Sequence, residues 1–247
     1  MAEPVYKIVI AAARTLGAVK GWKVVTSGAD NIPAKGPAIL AINHAGYLDF
    51  VFAAWTATIE RDRLVRYMAK TEVFAHKVSG PLMRAMKHIP VDRKGDPARS
   101  LDLAIKALEA GETIGTFPEA TINPSFVPGR GKTGTVRMAQ ATGSPVIPVA
   151  VWGAHRLMTK GRPRNFQRGV QILVKIGEPE RIAVTDDPRH ATDRLMASIR
   201  TLLSEAQRDY PQKPANDLDR WWLPAHLGGT APRPQDVVVR EDGIGFS

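Results

Sequence analysis

Short apolar runs and stripes at helical spacing alternate along this chain. The run Pro37-Ala38-Ile39-Leu40-Ala41-Ile42 is continuously apolar and predicts a buried strand. Residues 50–59 are apolar again and predict a helix. Further strands are expected at 22–26, 64–69, 88–91, 113–117, 146–152 and 170–176. Helices are expected at 5–19, at 73–86 with a break at Ser79-Gly80-Pro81, and at 132–142, closed by Gly143. Asp96-Pro97 and Asp187-Pro188 each read as a cap followed by proline in the first helical position. Leu101, Ala104, Ile105 and Leu108 form the buried stripe of the first of these helices, which Gly111 ends, and Leu195, Ile199, Leu202 and Leu203 that of the second. Strands alternating with helices predict an α/β sandwich.

Polar chemistry collects where the 37–42 strand meets the 50–59 helix. Asn43, His44 and Asp49 stand at that junction. On one continuous helix, residues five apart point in different directions. With His44 in the turn and Asp49 in the first helical turn they can meet, and Gly46 permits the bend. A carboxylate on one ring nitrogen fixes the imidazole tautomer and leaves the other nitrogen free to take a proton. A helix cap or a satisfied core pair is the alternative for this stretch alone. Three other strands end in the same way: at Arg93 after Ile89-Pro90-Val91-Asp92, at Glu119 and Thr121 after Phe117, and at Ala150 and Trp152 after Val146-Ile147-Pro148-Val149. Open α/β sheets bind ligands outside their strand ends.

Composition narrows the class. At 247 residues, 44% hydrophobic and 23% charged, the chain is long enough for one good core. It has no cysteine, which excludes disulfides, a cysteine nucleophile and thiolate-bound zinc, and suits a reducing compartment. No metal site is expected. The opening Met-Ala-Glu-Pro lacks a charged n-region and a cleavage site, and no apolar run reaches the length of a membrane span. The net charge of +10 favours polyanions: nucleic acid, an anionic bilayer or a phosphorylated substrate. Zinc-finger spacing, an RNP-like strand and a helix-turn-helix pattern are all missing, so nucleic acid is not the expected partner. In the first helix Lys7 and Arg14 share a face, followed by Lys20, Trp22 and Lys23. Such a helix can lie in a bilayer interface or pack on the domain. Residues 1–21 thus read as an interfacial helix, 22–210 as the body, and 211–247, rich in Pro, Gly and charge, as an extended tail. Within the tail, Trp221 and Trp222 read as packing anchors or as interfacial ones.

The four strand ends together resemble the glycerolipid acyltransferases, whose best-known members are the 1-acylglycerol-3-phosphate acyltransferases. That family carries N-H-x-x-x-x-D, a block ending in Arg, F-P-E-G-T-R and V-P-V. Here these stand as Asn43 to Asp49, Ile89 to Arg93, Phe117 to Thr121 and Val146 to Val149. The resemblance covers about residues 28–176 and implies a mixed central sheet flanked by helices. It implies His44 as general base for the acceptor hydroxyl and Asp49 as the group that orients it. It further implies that Asn43, Arg93, Glu119 and Thr121 hold substrate. The donor would be acyl-CoA or acyl-carrier protein, used as a co-substrate with no cofactor. The implied acceptor is a lysolipid, and the implied place is cytoplasmic, on the inner face of the cell membrane.

The sequence departs from the family block in two places: Ala120 replaces Gly, and Ile122 replaces Arg. An apolar side chain cannot bind phosphate. Arg130 and Lys132 follow, and Lys132-Thr133-Gly134 resembles the family's K-x-G step, so these two become the candidate cations. A different lysophospholipid or a glycolipid hydroxyl is a second acceptor class. A thioesterase, and a non-enzymatic binder of membrane or nucleic acid, are the readings from other classes.

Overall fold

In the computed structural model, residues 3–92, 95–240 and 243–246 are described. The elements are α1 (Pro4–Lys20), β1 (Lys23–Ser27), β2 (Ala38–Ile42), α2 (Asp49–Arg61), β3 (Val65–Lys70), α3 (Thr71–Ala75), α4 (Ser79–Ala85), β4 (Ile89–Val91) and α5 (Pro97–Glu109). They continue with β5 (Thr113–Thr116), α6 (Gly134–Thr142), β6 (Val146–Trp152), β7 (Gln171–Ile176), α7 (Pro188–Arg208) and the paired strands β8 (Val237–Arg240) and β9 (Gly243–Phe246).

Seven strands form one sheet in the order β1-β7-β6-β2-β5-β3-β4. All neighbours are parallel except β6 and β7, so β1 and β7 run against the other five. The fold is therefore α/β with a mixed sheet. The fully buried β2 and β6 lie side by side at its centre. Continuous apolar strands of this kind are buried on both faces and need cover from both sides. Phe52 and Ala57 of α2, with Tyr6 and Ile10 of α1, pack on one face. Leu108 of α5, Met138 of α6 and Leu195 and Ile199 of α7 pack on the other. This topology brings the C-terminal ends of β2, β5 and β6 to one edge of the sheet, with the end of α1 and the start of β1 on that same edge.

The caps fall where the sequence places them. Asp96 accepts from the Arg99 amide and Asp187 from that of His190. The break in the 73–86 segment falls elsewhere. It lies at residues 76–78, and Ser79-Gly80-Pro81 begins α4 instead of ending a helix. Proline is tolerated in a first turn, where its missing N–H has no partner to lose. Ser79 Oγ donates to the Val73 carbonyl (2.8 Å), and a Cβ on Gly80 would stand 2.2 Å from the Phe74 carbonyl oxygen, so the two short helices fold tightly back on each other.

The first helix packs on the domain by one face and leaves apolar side chains exposed on the other. Tyr6 is fully buried, and its hydroxyl donates to the Val65 carbonyl and accepts from the Val65 amide. Ile8, Leu16 and Val19 are exposed on the outer side. No helix among the described residues is long and apolar enough to cross a membrane. The tail is pinned to the body by Trp222, which is fully buried against Trp152, Tyr210 and Leu203. Trp221 is half-buried, with the Arg162 guanidinium 5.0 Å from its ring centre.

Candidate active site

Residues 43–48 link β2 to α2 and turn the chain back on itself. Asp49 opens α2, so its carboxylate sits at the positive end of the helix. Its Oδ2 accepts from the backbone N–H of Ala45 (2.8 Å) and of Gly46 (2.7 Å), and from His44 Nδ1 at 3.3 Å. The pair forms because the turn curls over the carboxylate. Gly46 serves this turn through close approach, not through a left-handed backbone. Its φ is not positive, but a Cβ there would lie 2.7 Å from His155 Cα and 2.8 Å from the Met158 oxygen.

The His44 ring is held from a second side, stacked on Phe117 with ring centres 4.2 Å apart. Asp49 is completely buried, whereas the His44 side chain is 19% exposed. Burial raises the Asp49 carboxyl above its usual range, against the opposing pull of His44 and the two N–H groups. A proton arriving on His44 supplies the positive charge that compensates this buried carboxylate. With Nδ1–H directed to Asp49, Nε2 is the nitrogen that can take a proton.

Glu119 supports the same turn from β5. Its Oε1 accepts from the His44 amide (3.0 Å), and its Oε2 accepts from the Gly129 amide (3.1 Å) and from Asn123 Nδ2 at 3.5 Å. The carboxylate is buried, and burial raises its pKa despite these donors. Asn123 completes the clasp, its backbone N–H donating to the His44 carbonyl (3.0 Å). Glu119 therefore binds the backbone of the histidine turn.

The other expected residues divide. Asn43 is paired with β6: its Nδ2 donates to the Val151 carbonyl (3.2 Å) and its Oδ1 accepts from the Val151 amide (2.7 Å). This prolongs the β2–β6 ladder by a side chain and fixes the buried amide against β6. Thr121 is half-buried on the loop that Glu119 anchors. Arg130 and Lys132 are exposed farther along that loop, and the Lys132 amide donates to the Pro118 carbonyl (2.8 Å). Arg130 lies near Asp193, whose carboxyl is held below its usual range first by the Arg189 hydrogen bond and further by the charge of Arg130. Arg93 lies outside the described residues.

The two departures from the family block have structural consequences. Ala120 adopts φ +60°, a conformation in which glycine carries no Cβ penalty. Ile122 is 4% exposed and points into the protein, so its position offers no surface cation site. Among the described residues no cluster of His, Asp or Glu could hold a metal ion.

Two contributors were not among the expected site residues. Phe117, read as the end of a strand, is the platform for His44. The loop after β6 straps the histidine turn: the Tyr47 amide donates to the Met158 carbonyl (2.9 Å), and Thr159 Oγ1 donates to the Ala45 carbonyl (2.7 Å). Residues far apart in sequence meet here because β2 and β6 are neighbours in the sheet.

A family model described as Acyltransferase matches residues 23–152. A 1-acyl-sn-glycerol-3-phosphate acyltransferase of Bacillus subtilis (strain 168) is 31% identical over 174 residues, 70% of this chain and 81% of the relative. An enzyme of the same name from Borreliella burgdorferi is 26% identical over 191 residues, 74% of each chain. The crystal structure of the 1-acyl-sn-glycerophosphate acyltransferase PlsC from Thermotoga maritima has a TM-score of 0.65 at 23% identity, covering 84% of this chain and 83% of that one, which shows a shared fold. With the N-H-x-x-x-x-D turn built as a histidine–carboxylate pair at the strand ends, the chain belongs to the acyltransferase family.

Proposed function

We propose that this enzyme moves an acyl group from a thioester, acyl-CoA or acyl-carrier protein, to the free hydroxyl of 1-acylglycerol 3-phosphate, giving phosphatidic acid. The observation that carries this reading is the His44–Asp49 pair, with Nε2 as its proton-accepting nitrogen, at the edge of the sheet. The acceptor hydroxyl gives its proton to Nε2 as its oxygen attacks the thioester carbonyl. The resulting imidazolium is stabilised by Asp49. The tetrahedral intermediate collapses, the C–S bond breaks, and the proton passes from His44 to the departing thiolate. No acyl-enzyme is required, in keeping with a chain that has no cysteine.

Membrane contact on the same edge fits a lipid acceptor. The loop after β6 carries Lys160, Arg162, Arg164 and Arg168, all exposed, with no acidic residue between Ala154 and Gly177. It ends against α1, where Trp22 Nε1 donates to the Gln167 carbonyl (2.9 Å) and the Gly169 amide to that of Lys20 (2.9 Å). Exposed Leu16 and Val19 lie on that helix. Cations flanking exposed apolar side chains suit an anionic bilayer interface, each cation contributing about 1 kcal/mol at low salt. Loss of the segment before Trp22 should then weaken sedimentation with anionic vesicles.

The buried Ile122 favours a second reading, in which the acceptor is another lysophospholipid or a glycolipid. Acyl transfer to a panel of lysolipids separates the two. Under the first reading, Arg93→Ala and Lys132→Ala raise the KM for 1-acylglycerol 3-phosphate by about 10–150-fold, the scale of one charge-assisted hydrogen bond. They leave an unphosphorylated monoacylglycerol little affected. Equal losses on both acceptors, or a wild type that prefers the unphosphorylated one, move the function to the second reading.

A further inference from the structure

The peptide group between Ala45 and Gly46 is gripped at both ends. Its N–H donates to Asp49 Oδ2 at 2.7 Å, and its carbonyl accepts from Thr159 Oγ1 at 2.7 Å. We infer that Thr159 is a positioning residue for the reaction, acting through this one peptide on Asp49 and through Asp49 on His44.

Three observations carry the inference. First, the contact is built: Thr159 is 4% exposed, and its hydroxyl spans 114 residues of sequence to reach the catalytic turn. Second, it does not act alone. The Met158 carbonyl takes the Tyr47 amide, and the backbone at His155 packs against Gly46, so this loop determines where the Ala45–Gly46 peptide lies. Third, chains of hydrogen bonds polarise one another, by about 10–30% per bond. A hydroxyl donating to a carbonyl makes the N–H of the same peptide a better donor. Asp49 depends on such donors, because its burial favours the neutral acid and Oδ1 has no partner among the described residues. His44 needs the ionised carboxylate, aimed at Nδ1. The titratable groups facing Asp49 are His44 and the buried Tyr67; Glu119 accepts from the His44 backbone amide and feels the charge of the His44 ring, but makes no bond to Asp49.

The inference rests on the His44–Asp49 reading, and the two can fail separately. Thr159→Val keeps the shape and removes the hydroxyl. We expect kcat to fall about tenfold, the scale of one lost hydrogen bond, with the KM for both substrates unchanged. The acid limb of the kcat–pH profile moves to higher pH, because the carboxylate is less well held in its ionised form. Thr159→Ser restores kcat and the profile. Thr142→Val is the control: it removes a hydroxyl bonded to the Met138 carbonyl (2.8 Å) and to Ser144 at the end of α6, and should cost stability without moving kcat. If Thr159→Val does not fold, Thr159→Cys, with its weaker donor, takes its place and should give an intermediate loss. An unmoved kcat, a loss confined to KM, or a Ser variant no better than Val overturns the inference. Wild-type turnover in His44→Ala overturns the underlying reading instead.

Discussion

Two buried carboxylates stand on either side of one histidine, and they do different work. Asp49, at the start of α2, accepts two backbone amides and the imidazole. Glu119, at the end of β5, accepts two backbone amides and the Asn123 side chain but does not touch the ring. Burial raises both above the usual carboxylate range. The difference lies in what each faces. A carboxylate against an imidazole can answer a proton taken up in the reaction. One that accepts only from amides holds a loop in place. The other buried histidines make the same point: His88 is lowered to about 4 and His155 to about 3 by desolvation, each among aromatic rings and neither hydrogen-bonded to a carboxylate among the described residues. Of these three histidines, only His44 combines partial exposure with a carboxylate.

The sharpest test of this division removes the ring. His44→Ala should cost about 10²–10⁴-fold in acyl transfer, and Asp49→Asn nearly as much, with little change in melting temperature for the first. If Asp49 instead served only the turn, its variant would lose stability and keep its turnover.

Glu119→Ala should invert the pattern. It leaves the amides of His44 and Gly129 without their acceptor, at about 1–3 kcal/mol for each group left unsatisfied. The melting temperature should fall markedly, and activity should follow the folded fraction. Full stability with lost turnover would assign Glu119 to the chemistry.

Acidity sharpens the comparison further. A carboxyl raised on folding contributes stability that is present below its unfolded pKa, about 4.3 for Glu, and lost as pH rises through its folded value. Glu119→Gln removes that titration. The stability difference between wild type and Glu119→Gln should therefore shift in favour of the variant as pH rises above about 4.3, measured by denaturant unfolding at several pH values. A shift in favour of wild type would mean that the amide donors outweigh burial.

The smallest effect lies beside Glu119. Ala120→Gly relieves a left-handed alanine worth about 1–2 kcal/mol, offset in part by the greater unfolded freedom of glycine. The net gain, about 1 kcal/mol, should raise the melting temperature by about 2–4 °C. No gain would mean that the packing of the Ala120 methyl outweighs its backbone strain.

Much of this molecule was legible in its sequence because the signals are local. The apolar runs of β2 and β6 mark buried strands wherever they occur, and Asp96-Pro97 and Asp187-Pro188 begin helices by chemistry contained in a few residues. His44 and Asp49 could be paired on paper because a turn of five residues leaves few ways for them not to meet. The break before α4 was misplaced because proline reads as a stop or a start depending on which turn it occupies. Asn43 stood in the right motif, yet only the pairing of β2 with β6 shows that its amide belongs to Val151. Phe117, Asn123 and Thr159 reach His44 and its turn from the β5 and β6 ends. Sequence alone determined the strand–helix alternation, the caps and the pairing of His44 with Asp49, since each depends on neighbours within a helical turn or a strand. Only the tertiary structure decided what holds that pair in place, because strand order is set by long-range packing, and strand order determines which distant loops share an edge.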